Sequence, residues 1–161
     1  MSTFDVTPNQ IEFSYQDLEE AFPNVDPQHA PHGEFVVVQF RSPKNKTKGG
    51  IILVDDSKQT EQDNTQVAKV VAIGPIAFRN RQTGEEWFGG AWYKVGDYVR
   101  APKYGGDRWR VKASKVTKGK KVGGIEIPDK TEEIEAVFAL FMEKDLRVKV
   151  TADPRTVKAF I

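Results

Sequence analysis

The chain has no cysteine, and only two histidines and two methionines, in 161 residues. The missing thiols exclude disulfides, thiolate metal sites and cysteine nucleophiles, and fit a reducing compartment. His29 and His32 have a conceivable ligand spacing with Asp26 nearby, but nothing else in the chain supports a metal site there. Charge of one sign is also lacking. With 24 basic and 23 acidic residues the net charge is +1, so bulk electrostatics point to neither nucleic acid nor membrane. No apolar run approaches the roughly 20 residues that span a bilayer. The start, Met1-Ser2-Thr3-Phe4-Asp5, lacks the charged and apolar regions of a secretion signal. These absences describe a cytoplasmic, soluble protein. No Gly-rich phosphate loop is present. Asp55-Asp56 and Glu85-Glu86 read as loop and turn charges instead of an acid/base pair, so no enzyme is expected.

What the chain does have is strands. Glu34-Phe35-Val36-Val37-Val38-Gln39-Phe40 is β-branched and aromatic and ends before Pro43, and Gln66–Ile73 is a second strand stopped by Gly74-Pro75. Residues 76–93 hold the turn Gln82-Thr83-Gly84-Glu85 and a Gly89-Gly90 pair among Trp87, Phe88, Trp92 and Tyr93, which predicts a decorated hairpin. Lys94–Arg100 is a Gly-Asp corner feeding a strand, and Arg108–Lys112 alternates basic and apolar residues as a half-buried strand does. Ser114–Lys121 is polar and basic and reads as loop, its cations as a solvated face. Residues 134–142 are ambiguous: Ile134, Val137, Phe138 and Phe141 have helical spacing, yet Ala136–Met142 also suits a buried strand. Leu146, Val148 and Val150 alternate as a last strand. Short strands with frequent Gly and Pro turns predict a small all-β barrel. Ahead of it, Ser14 is placed to cap a short helix ending near Phe22, with Asn24–Pro31 as a linker.

One stretch stands apart. From Arg41 to Gln66 the composition is mostly polar, which predicts a segment unable to order itself, but it carries Lys48-Gly49-Gly50-Ile51-Ile52-Leu53. Three aliphatic side chains on such a loop are a docking signal. A second glycine pair, Gly123-Gly124-Ile125-Glu126-Ile127-Pro128, resembles it, but Glu126 breaks the apolar triplet, and an ordinary turn and strand is expected there.

In this order the pieces resemble the GroES-like co-chaperonins, the lids of GroEL-type chaperonins. Gly49–Leu53 is similar to the family's mobile-loop signature, and Val67–Gly74 (V-A-K-V-V-A-I-G) to its returning strand. Val95-Gly96-Asp97-Tyr98-Val99 is similar to the V-G-D-x-V corner, Pro102–Gly106 to a P-x-Y-G-G stretch, and Val137–Val150 to the closing strands. The resemblance covers roughly residues 33–110 and 136–150 and favours the strand reading of 137–142. It implies a GroES-like β-barrel at 33–150, with a mobile loop at 41–65, a roof hairpin at 76–93 and an insertion at 111–135. Residues 1–32 and 151–161 are then extensions. Extended versions with a G-E-(F/Y)-V opening, like Gly33–Val36 here, are similar to co-chaperonins encoded by bacteriophages, which places such a protein in the host bacterial cytoplasm.

The resemblance implies a co-chaperonin that caps a GroEL-type ring and assists ATP-dependent folding, with ATP bound by the partner and no cofactor on this chain. Gly49, Gly50, Ile51, Ile52 and Leu53 would contact the chaperonin. Copies would assemble as a homo-oligomeric ring, a heptamer by resemblance, through Phe35, Val36, Val37 and Val38 of the first strand and Leu146 and Val148 of the last. Trp87 and Trp92 would belong to the roof hairpin. The competing readings are an RNA- or ribosome-binding barrel and a phage structural protein.

Overall fold

The computed structural model describes residue 15 and residues 17–42, 66–102 and 104–157. β1 (Phe35–Phe40), β2 (Val67–Ile73), β3 (Tyr98–Arg100), β4 (Asp107–Thr117), β7 (Lys130–Met142) and β8 (Val148–Lys149) form a six-stranded sheet in the order β4-β7-β1-β2-β3-β8. Every pairing is antiparallel. β5 (Lys121–Val122) and β6 (Ile125–Glu126) make a separate two-stranded ribbon. Among the described residues, α-helix is confined to the single turn α1 (Leu18–Ala21). The expected all-β class is what the chain adopts.

β1 lies in the middle of the sheet. It pairs with β7 from Phe35↔Met142 to Gln39↔Phe138, and with β2 from Val36↔Ile73 to Phe40↔Ala68. Its side chains alternate between two cores, as a strand's period of two requires. Val36, Val38 and Phe40 join Ala68, Val70, Val99, Val137, Ala139 and Phe141 on one face. Val37 joins Val25, Val111, Ala136 and Phe138 on the other. A strand buried on both faces loses its polar alternation and reads as a continuous apolar run. That is why residues 134–142 fit helical spacing as well as a buried strand: β7 alternates between the same two cores. The register steps from Val37↔Ala72 to Val38↔Val70, which leaves Val71 as the extra residue of a bulge in β2.

The second core is covered by residues expected to form a linker. Behind α1 the chain lies across the sheet, where Gln39 Nε2 donates to the Pro23 carbonyl at 2.7 Å and Trp109 Nε1 to the Pro27 carbonyl at 2.9 Å. The His29 ring, one of the conceivable metal ligands, packs tilted against Trp109 with centroids 4.6 Å apart. The cap of α1 is Asp17, whose carboxylate accepts from Glu20 N at 2.8 Å, three residues later than the expected position at Ser14. The helix stops at Phe22, before Pro23, as anticipated.

Ser114–Thr117, expected as loop, continues β4. The β4–β7 ladder runs from Asp107↔Leu140 to Thr117↔Lys130, so the insertion is a two-stranded arm. Its exposed cations face carboxylates: Arg110 lies 3.1 Å from Glu135 and Lys112 3.8 Å from Glu133. Such cross-strand pairs support a strand in a polar sequence, and the partner strand is invisible when β4 is read alone. Beyond the arm, Gly123 (φ 59°) and Gly124 (φ 81°) form the β5–β6 turn, the ordinary turn and strand expected.

Gly74, the last residue of the V-A-K-V-V-A-I-G stretch, sits where a Cβ would lie 2.1 Å from the Gly33 carbonyl oxygen, a backbone atom that cannot swing aside. At Gly84 a Cβ meets nothing within 4 Å, though φ is +74°. Gly74→Ala is therefore expected to cost at least the roughly 1–3 kcal/mol of an overpacked core site, and Gly84→Ala about 1 kcal/mol from left-handed backbone alone. Urea melts of both variants check this order, and equal midpoints would contradict it.

Candidate functional site

The two projections expected to carry function leave opposite ends of β1, a strand about 20 Å long. At its carboxyl end the chain enters residues 43–65, so Gly49, Gly50, Ile51, Ile52 and Leu53 lie outside the described residues. The roots of that segment are described. On the outgoing side, Arg41 N donates to Val67 O at 3.0 Å, Ser42 N donates to Ala21 O at 2.8 Å, and the Tyr15 hydroxyl donates to Ser42 O. On the returning side, Gln66 O accepts from Ala101 N at 2.7 Å and Gln66 Oε1 accepts from Arg100 Nη2 at 3.1 Å. Both roots are thus tied to framework backbone on the same rim.

At the other end, residues 75–94 make the expected hairpin, reduced to one bridge at Arg79↔Glu86 and a turn closed by Gly84 N to Asn80 O at 2.7 Å. Its base is aromatic. Phe78 packs edge-on to Tyr93 at 4.8 Å and to Trp92 at 5.5 Å. Trp87 and Trp92 remain 41% and 49% exposed, so they flank the base instead of filling it, while Phe88 at the Gly89-Gly90 turn is fully exposed. The residues that hold the base were not singled out from sequence. The buried Glu143 carboxylate accepts from Phe78 N, and the Glu143 carbonyl accepts from the Tyr93 hydroxyl at 2.9 Å. Phe78 has a φ of 63°, a conformation costly for a bulky residue, and the bond from its own N–H to Glu143 helps to hold it there. Burial first, then the charges of Glu143 and Asp145, push the Tyr93 hydroxyl far above its ordinary pKa.

The motifs behind the resemblance have local causes. In the V-G-D corner, Gly96 takes φ 98°, its N–H donates to Val70 O at 2.9 Å, and Asp97 Oδ2 accepts from Lys94 N at 3.0 Å. Asp97 also lies 3.6 Å from Lys149 Nζ, which ties the corner to β8. Gly106, at φ +77°, lies flat on Phe141, whose ring a Cβ would meet at 2.7 Å.

The residues assigned to subunit contact fall into two groups. Val36, Val37 and Val38 are fully buried in a strand paired on both sides, so β1 offers no open edge. This corrects the expectation for Phe35–Phe40, of which Phe35 alone is exposed, at 38%. Leu146 is buried in the first core, but Val148, on the outermost strand β8, is 54% exposed. Sequence reading cannot distinguish a central strand from an edge strand when both are apolar.

An all-β subunit with one long segment at one rim and a glycine-rich hairpin at the other is the architecture of a GroES-like co-chaperonin. Known proteins agree. The family described as "Chaperonin 10 Kd subunit" matches residues 28–118, more than half of the chain. The Co-chaperonin GroES of Clostridium beijerinckii is 36% identical over 89 residues, covering 54% of this chain and 83% of that protein. The chain belongs to the chaperonin 10 kDa subunit family, and its function is that of a co-chaperonin. That family is not an enzyme family.

The Tyr93–Glu143 bond gives a pH-dependent prediction. Because the folded state holds the Tyr93 proton above the ordinary pKa of 10.0, its stabilising contribution is complete below that pH and is lost as pH rises through the raised folded value. Tyr93→Phe should cost about 1 kcal/mol at neutral pH. The wild type should also lose stability more steeply than this variant above about pH 10. Thermal melts of both proteins across that range decide it, and parallel slopes would refute the assignment.

Proposed function

We propose that the chain caps a GroEL-type chaperonin ring, with Gly49, Gly50, Ile51, Ile52 and Leu53 docking into an apolar groove of the partner. The observation that carries this reading is the placement of both roots of segment 43–65 on one rim of the sheet, fixed by backbone bonds at Arg41, Ser42 and Gln66. A glycine pair permits a tight turn, and three aliphatic side chains supply the contact. Burying them is worth roughly 5–9 kcal/mol gross, against about 2–5 kcal/mol for ordering the segment and a further cost in rigid-body freedom. One copy binds weakly, which suits a lid that must come off. A ring of copies, seven by family resemblance, makes attachment strong through linked sites. ATP belongs to the partner, and this chain needs no cofactor. The place of action is the bacterial cytoplasm. The ion-paired cations of β4 give little support to the rival RNA-binding reading.

Ile52→Asp is expected to abolish ATP-dependent co-sedimentation with a GroEL-type ring while the protein stays folded and assembled. Normal co-sedimentation of that variant would remove segment 49–53 from the docking role.

For assembly, the supporting feature is the outer edge of β8, where Val148 is exposed. Val148→Asp should shift the protein toward monomer in light scattering with little change in melting temperature. An unchanged oligomer would move the contact elsewhere.

A further inference from the structure

The stretch matched by the family begins at residue 28 and ends at residue 118. Chain from outside both ends of it meets at one place, the outgoing root of segment 43–65. From the amino-terminal side come Tyr15, Ala21 and Phe22, and from the carboxyl-terminal side Pro154 and Val157. Ala21, Phe22 and Val67 form a small buried cluster against which Tyr15, Tyr98 and Val157 pack, with the Phe22 and Tyr98 rings 5.0 Å apart.

Arg41 joins Tyr15 and Val157 of this cluster. It is 4% exposed, and its Nη1 donates to Pro154 O at 2.9 Å and to Val157 O at 2.6 Å. Its guanidinium lies 5.3 Å from the centre of the Tyr15 ring, while Nε has no hydrogen-bond partner. A buried cation held by two carbonyls and an aromatic face is costly to place. The side-chain partners given for it, Pro154, Val157 and Tyr15, all belong to the terminal segments. The next residue, Ser42, is gripped at both of its backbone groups, N–H to Ala21 O and C=O from the Tyr15 hydroxyl.

We infer that Arg41, Tyr15 and the tail at Pro154–Val157 form a collar that fixes the point and direction at which the docking segment leaves the sheet. This rests on the docking role proposed above and deepens it. Arg41 is a positioning residue, argued to act through the exit of the chain at Ser42. A chain whose exit is already fixed has less freedom to lose when it docks, so preorganisation at the root raises affinity without adding a contact. Repeated around a ring, a small gain per copy multiplies.

The test uses the full-length protein and four variants: Arg41→Met, Arg41→Lys, Tyr15→Phe, and a chain stopped after Val150. Amide hydrogen exchange at Ser42 reads the collar, and ATP-dependent binding to a GroEL-type ring reads its consequence. Arg41→Met and the shortened chain are expected to lose Ser42 protection and to bind about tenfold more weakly, at unchanged oligomeric state. Arg41→Lys should recover part of both losses, and Tyr15→Phe, the gentlest change, should show a smaller loss of each. Ser42 protection that survives in Arg41→Met would overturn the collar. So would lost protection with wild-type binding. If wild type itself fails to bind any chaperonin ring, the docking reading falls, while exchange at Ser42 still decides whether the collar exists.

Discussion

The burial of β1 on both faces, together with its pairing on both edges, is the constraint on which the rest of the structure depends. Val36, Val37 and Val38 reach zero exposure only because a second layer exists on each side of the sheet. On one side that layer includes Tyr93, Phe78 and Leu146, brought in by the hairpin and by the turn after β7. On the other it is the extended chain from Phe22 to His29, held by the Gln39 and Trp109 side-chain bonds to prolyl carbonyls. Proline carbonyls suit this role, because a residue without an N–H still accepts and the extended backbone it favours lies flat. The amino-terminal segment therefore contributes to the core.

A strand so enclosed makes both of its ends well defined, and the projections start there. The bulge at Val71 bends β2 just before Gly74, where the Gly33 carbonyl leaves no space for a side chain. Of the glycines in the family motifs, Gly74 lies where backbone touches backbone and Gly106 where it meets a ring, while Gly96 supplies a left-handed turn. These three specify the framework, apart from the segment proposed to dock.

Much of this was legible in the residues. Strand positions, the V-G-D corner and the stop at Pro23 follow from β-branched runs and from proline and glycine chemistry that acts locally. What was not legible depends on partners distant in sequence. Ser114–Thr117 looks like loop until Glu132 and Glu133 are placed across from it. The central position of β1 does not follow from Val36-Val37-Val38, because apolar strands pair on one side or on two. In sequence, Arg41 is the first polar residue of a loop. Its burial depends on the tail more than 110 positions away, a separation no local pattern encodes.

The position of Arg41 also bears on the energetics of docking. A lid that attaches through weak contacts, each repeated around a ring, is sensitive to small changes in the cost of ordering each one. Lengthening a free loop changes that cost slowly, roughly as the logarithm of its length. Fixing the end of a loop acts on the exit direction as well, and can be adjusted without altering the aliphatic triplet proposed to dock. Extensions at both termini that converge on Ser42 are suited to that adjustment. On the proposed docking role, they leave the aliphatic triplet unchanged and act on the conformational freedom that opposes its docking.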